Sequence, residues 1–257
     1  MSDSVLAALI GALFGAVIGS FLNVCIVRLP AEQSVVRPPS RCPRCGRPVA
    51  WHENIPVVSW LMLRGRCRGC HEPISILYPV VEIATALLWG WMVYRHGFGL
   101  EALRGALFGT ILLGIALTDA REYIIPDEFT YGGLVLGLLF SATGGLAGVG
   151  AALFGAAVGF GILWLVGLVG TWIFKEEAMG GGDIKMMAMV GAFVGWQGVL
   201  LTIFLGALAG TLIFLPLHLL GRKKLVPFGV FLSIGAAITY LVGPAILEWY
   251  RRYLGVV

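Results

Sequence analysis

Apolar runs long enough to cross a bilayer recur through most of this 257-residue chain, and they leave it little choice of fold. A hydrocarbon core about 30 Å thick is crossed by about 20 helical residues. Lipid offers no partner to an unpaired backbone group, so each run must close its own hydrogen bonds as a helix. The runs lie at 5–27, 74–94, 100–118, 124–142, 145–174, 184–195, 198–220 and 227–247, and they predict an all-α polytopic membrane protein of about eight transmembrane helices. The first is too long for a signal-peptide core, has Asp3 where a basic patch would precede one, and meets no small-x-small site before Arg28, so a retained helix is expected. With 58% hydrophobic residues, 12% charged and a mean hydropathy of +0.90, no room remains for a large soluble catalytic domain.

Residues 28–73 break this pattern, being rich in Pro and Arg and holding four of the five cysteines. About 45 residues is too few to fold on an apolar core alone, so a metal or disulfide staple is expected there. The chain thus divides into a first transmembrane helix (1–27), a small extramembrane domain (28–73) and a transmembrane core (74–257). The net charge of +4 does not require nucleic acid as a partner, because its distribution reads as topology. Eight basic residues lie in the first connection, and Arg121, Lys175, Lys185, Arg222, Lys223 and Lys224 lie in the third, fifth and seventh. Only Arg95, Arg104, Arg251 and Arg252 fall on the other side. The positive-inside rule places residues 28–73, Asp119 and Asp183 in the cytoplasm, with both termini outside.

Cys42-Pro43-Arg44-Cys45 and Cys67-Arg68-Gly69-Cys70 are two CxxC knuckles with 21 residues between them, close to the spacing of a four-thiolate zinc site. Such a closed sulfur shell leaves no position for water, so the zinc is expected to be structural. Gly46 and Gly69 are expected to allow the tight turns that aim backbone amides at sulfur. Two disulfides are the alternative, disfavoured by a reducing compartment. His52 and His71 are surplus to a complete tetrahedron, and Cys25, within the first run, reads as a small apolar residue. Glycines in the 145–174 run read as close-packing positions, and no convincing internal repeat stands out.

Carboxylates are costly near hydrocarbon, so Asp119, at the end of the third run, and Asp183, behind three glycines at the start of the sixth, ask for a reason. An aspartyl protease needs two carboxylates about one water, one ionised as base and one protonated to polarise the scissile carbonyl. In that reading Gly180 and Gly182 remove side chains where an extended substrate approaches, and Lys185 tunes the pair or meets lipid phosphate. Solvated acids at helix ends are also common, and Glu122, Asp127 and Glu128 compete with Asp119 on proximity. Glu82, inside the second run, reads either as a structural hydrogen-bonding group or as part of a ligand site.

An ordered set of short motifs then becomes specific. Gly19-Ser20-Phe21-Leu22-Asn23-Val24 with Arg28-Leu29-Pro30, both CxxC pairs, Asn54-Ile55-Pro56, Ser59-Trp60-Leu61, Tyr78 to Glu82, Asp119 with Ile125-Pro126-Asp127, and Gly180 to Asp183 with Lys185 and Ala188 together resemble the bacterial type IV prepilin peptidases. These are GxGD aspartyl proteases, also called prepilin leader peptidase/N-methyltransferases. The resemblance implies a multi-pass protein of the bacterial inner membrane that cleaves the basic leader of type IV prepilins or pseudopilins after Gly on the cytoplasmic side. It implies catalytic roles for Asp119 and Asp183. It also implies methylation of the new N-terminal amine by S-adenosylmethionine.

No strand, glycine turn and helix unit of the soluble nucleotide-binding kind is visible, so a donor pocket would be built from the first connection and helix ends. Two other readings remain: a transporter or channel using Asp119, Asp183 and Glu82 as a cation path with a regulatory zinc domain, and a zinc-bearing scaffold without chemistry. Trp249, Tyr250 and Tyr253 read as an interfacial aromatic belt.

Overall fold

Glycine spacing decides how the first long helices meet in the computed structural model, which describes residues 2–219, 226–253 and 255. Helix α1 (Asp3–Arg28) carries Gly11, Gly15 and Gly19 at successive turns. A Cβ on Gly15 would lie 2.6 Å from the Thr85 carbonyl, and one on Gly19 2.8 Å from the Glu82 Cα. The later helix α3 (Leu77–His96) therefore packs backbone to backbone on α1, the contact that small residues allow where both faces are otherwise lipid-like. Between them, the short α2 (Val58–Met62) follows a 3-10 turn over Trp51–Glu53. Helix α4 (Leu100–Glu122) comes next.

The chain forms two compact units, Met1–Thr110 and Ile111–Val257, with the division falling inside α4. In the second unit α5 (Asp127–Ser141), α6 (Gly145–Phe174), α7 (Gly181–Leu219) and α8 (Phe228–Tyr253) pack together, α7 touching each of the other three. Gly155 and Gly191 face each other so closely that a Cβ on either would overlap the other's carbonyl oxygen. Ala152, Ala156, Ala188 and Ala192 form the buried seam beside them, covered by Leu134 and Leu138.

Among the described residues, six stretches are long and apolar enough to cross a membrane, against the eight expected. The class holds; the difference lies in where helices join. Helices α5 and α6 are linked by a single 3-10 turn, Ala142–Gly144, and form one stretch from Asp127 to Phe174. The expected segments 184–195 and 198–220 are two parts of one helix, α7, kinked at Gly195 (φ 71°, ψ 174°), a backbone setting that glycine adopts without steric cost. The end of that segment at Leu220 and the basic triplet Arg222, Lys223 and Lys224 lie outside the described residues.

Candidate active site and metal centre

The four Sγ atoms of Cys42, Cys45, Cys67 and Cys70 lie within 4.8 Å of one another. Cys42 and Cys70 are 3.7 Å apart and Cys45 and Cys67 4.0 Å, close to the edge of about 3.8 Å that a tetrahedron with ~2.3 Å Zn–S bonds requires. All four are free thiols, so the two-disulfide alternative is not what the chain adopts. The cluster consists of the four sulfurs, with neither His52 nor His71 in it. The backbone amides of Cys45 and Arg44 hold the Cys42 thiol down to about 6. At Cys70 the Glu72 amide pulls the other way but is outweighed by desolvation and three neighbouring thiols, which push it up to about 11. Sulfurs this close cannot all ionise without a cation between them, so the donor set fits a soft divalent metal.

The two knuckles are one structure built twice. The Cys42 amide donates to the Arg47 carbonyl and the Cys67 amide to that of Glu72; Val49 reaches back to Ser40 as Ile74 does to Gly65. Bridges Arg41 to Pro48 and Arg66 to Pro73 repeat at the same offset. The left-handed turn residue is Gly46 (φ 70°) in one and His71 (φ 59°) in the other. As expected for Gly69, its amide is free to bond sulfur, donating to Cys67 Sγ at 3.4 Å, and a Cβ there would meet Arg47 Cδ at 3.2 Å. Glu53 ties both knuckles, accepting from Arg47 (2.9 Å) and Arg68 (3.3 Å).

Asp119 lies in the last turn of α4, 6% exposed, where the helix dipole disfavours a negative charge. Compensation comes from another helix. Its Oδ2 accepts the Val230 amide at 3.1 Å, in the first turn of α8, the end where dipole and free amides favour an anion. Asp183 occupies the first turn of α7, half-buried, and its Oδ1 is buried without a hydrogen-bond partner. Ile125 sits between the surroundings of the two carboxylates: a Cβ on Gly182 would lie 2.9 Å from Ile125 Cβ, and one on Gly229 2.7 Å from Ile125 Cδ1 and 2.9 Å from Asp119 Oδ2. Gly180 borders the same place, a Cβ there being 3.2 Å from Asp183 Oδ2. Glu122, Asp127 and Glu128 are exposed.

Lys185 holds Asp127 with both carboxylate oxygens, at 2.7 and 2.8 Å, and stands 5.5 Å from the Tyr131 ring centre. The pair pins the start of α5 to the start of α7. Gly229 and Val230 belong to this site and carry no motif in the sequence, whereas Ile125 stands in the Ile125-Pro126-Asp127 element. In the other unit Glu82 is buried and accepts the Val57 amide at 2.7 Å. Val57 is a β-branched residue at φ 61°, so the carboxylate anchors a strained turn beside Asn54-Ile55-Pro56.

Residues 13–96 match the Bacterial Peptidase A24 N-terminal domain, and residues 106–215 match the Type IV leader peptidase family. A relative from Myxococcus xanthus is 41% identical over 220 residues, which is 83% of this chain and 66% of that protein. Relatives from Aeromonas hydrophila (38% identical; 93% of this chain, 91% of that one) and Pseudomonas aeruginosa (38%; 95% and 93%) align nearly end to end. All three are named prepilin leader peptidase/N-methyltransferase. No solved structure matches the chain. Near end-to-end similarity at this identity, with both domain matches in order, makes the chain a member of the type IV leader peptidase family.

Proposed function

We propose that Asp119 and Asp183 are the catalytic dyad of an aspartyl endopeptidase that removes the leader peptide of type IV prepilins or pseudopilins. The observation that carries the reading is the contrast between the two carboxylates: one receives a helix-terminal amide, while the other presents a buried oxygen with no partner. Asp119, held by Val230, is the group suited to stay ionised and act as base. Asp183 carries the shared proton towards the scissile carbonyl. Water, deprotonated by Asp119, adds its oxygen to the carbonyl carbon as Asp183 protonates the carbonyl oxygen. The C–N bond then breaks, and the departing nitrogen takes a proton from the dyad.

Gly180 and Gly182 leave the approach to Asp183 without side chains, and Lys185 with Asp127 braces the two helix starts. The cut follows a Gly on the cytoplasmic side of the bacterial inner membrane, with the termini on the opposite side. Residues 28–73 form a zinc-stapled domain in which Cys42, Cys45, Cys67 and Cys70 hold the ion. The relatives' names extend the activity to methylation of the new N-terminal amine, for which S-adenosylmethionine supplies the methyl group. Those names give no support to the transporter or channel reading.

The test is product mass. Purified protein with a synthetic prepilin in detergent should release the leader, and adding S-adenosylmethionine should raise the mature product by one methyl group. Asp119→Asn and Asp183→Asn should each lower cleavage by at least ~100-fold with metal content and helicity unchanged. Cleavage retained by both single variants would overturn the dyad.

A further inference from the structure

Among the described residues of the metal-bearing domain, the arginines split into two groups. Arg44, Arg47 and Arg68 are paired with Glu72 or Glu53. The other five have no carboxylate partner: Arg28 makes only a 2.9 Å bond from Nη1 to the Ser34 carbonyl, and Arg37, Arg41, Arg64 and Arg66 are exposed. Of these, Arg28, Arg37 and Arg41 line one cleft, whose wall includes neither Arg64 nor Arg66. Two cavities of about 560 and 500 Å³ share Val24, Arg28, Pro38 and Ser40 as wall, the first running down α1 past Phe21 and Val17 and the second opening beside Arg37 and Arg41. No carboxylate lines either cavity.

The wall changes character along its length. Arg28 ends α1, while Val17 and Phe21, within the apolar run, are 60% and 52% exposed. From Val17 to Arg28 the helix rises about 16 Å, roughly half of a ~30 Å hydrocarbon core and hence the depth of one leaflet. A ligand filling both parts therefore has an anionic head for three guanidinium groups and an apolar tail that follows a membrane helix.

We propose that this cleft binds one anionic phospholipid, its phosphodiester between Arg28, Arg37 and Arg41 and an acyl chain along Val24, Phe21 and Val17. Arginine suits the head because its planar fork matches phosphate oxygens, and Ser34 and Ser40 offer hydroxyl donors beside it. The sulfonium methyl donor is a poorer match: it is a cation at its reactive atom, and the lining has three positive charges with no acid to meet it. The lipid ties the start of the metal-bearing domain to the membrane surface. This inference does not depend on the dyad assignment, and its readout is independent of activity.

The test is native mass spectrometry of the purified full-length protein in detergent with equimolar phosphatidylglycerol and phosphatidylcholine. Wild type should retain one phosphatidylglycerol with about tenfold preference. Arg37→Gln with Arg41→Gln should bring the ratio close to one, while Arg64→Gln with Arg66→Gln, which removes the same charge from the same domain, should leave it unchanged. Zinc stoichiometry of one per chain in all three checks folding. Glycerophosphoglycerol, the headgroup without chains, should not displace the lipid. Equal retention by wild type and the Arg37/Arg41 variant, equal loss in the control pair, displacement by the headgroup alone, or displacement by S-adenosylmethionine would each overturn the assignment.

Discussion

The carboxylate of Asp119 accepts the backbone amide of Val230, 111 residues further along the chain, at 3.1 Å. One helix ends in an acid, another begins over it, and the contact leaves no room between them. A Cβ on Gly229 would stand 2.9 Å from Asp119 Oδ2 and 2.7 Å from Ile125 Cδ1. Gly229→Ala should therefore push the carboxylate off the helix start and lower kcat by roughly 10- to 100-fold, with little change in KM. Gly132→Ala, where a Cβ meets nothing within 4 Å, should leave kinetics unchanged. Steady-state cleavage of a fluorescent prepilin peptide compares the two.

The Lys185–Asp127 pair should matter less. Its side chains are 33% and 52% exposed, so solvent screens it, and an ion pair of this kind contributes about 0.2–1 kcal/mol. Lys185→Gln and Asp127→Asn are each expected to lower cleavage only a few-fold, and the double variant should be no worse than either single one. A double-mutant cycle on kcat/KM checks this. A loss as large as that of Asp183→Asn would place Lys185 among the reacting groups.

The α1–α3 contact should be the more demanding one for stability. At Gly15 any Cβ meets the Thr85 carbonyl at 2.6 Å and Trp89 Cβ at 2.7 Å. Gly15→Leu should separate the helices at a cost of about 1–3 kcal/mol or more, read as a lower unfolding midpoint in detergent. Leu13→Ala, at a position 70% exposed, should not move that midpoint measurably.

Glu53 links the metal knuckles and should give them an acid limit. The Ala50 amide, then Arg47 and Arg68, hold its carboxyl below the usual glutamate range. A group depressed on folding stabilises above its unfolded pKa, near ~4.3 for glutamate, and that contribution is lost as pH falls through the folded value. Glu53→Gln should release zinc to a chelator faster at pH 7 and lose less on acidification than wild type. Replacing any one of the four cysteines by Ser should abolish stoichiometric zinc. Metal release followed colorimetrically across pH separates the two effects.

What the residues disclose beforehand, and what they conceal, follows from the range of each interaction. Apolar runs and CxxC knuckles are local patterns, so the helical class and the sulfur cluster were legible. The acids were legible because charge is rare beside lipid. Ile125 was legible as part of a short motif, but Gly229 and Val230 were not, since a hydrogen bond spanning 111 residues leaves no periodic mark. The paired CxxC motifs were plain, but the backbone equivalence beyond them was masked by side chains, since His71 takes the left-handed turn where Gly46 serves in the other copy. The Gly11, Gly15 and Gly19 stripe is local and visible in α1, but its partner face on α3 is set by tertiary packing. Glu82 reads equally as a structural or a ligand-binding group from sequence, because its donor, the Val57 amide, lies 25 residues away.

The meeting of Gly155 and Gly191 also settles an elevation. Gly191 lies eight residues beyond Asp183, about 12 Å along the helix, and there α6 and α7 meet backbone to backbone. The close approach continues one turn along, where a Cβ on Gly159 would overlap the Met187 carbonyl oxygen, so a side chain added along this seam would hold the two helices apart. The crossing is thus a fixed datum from which the height of Asp183 is measured. The level at which the Asp183 carboxylate stands depends on residues that have no side chain at all.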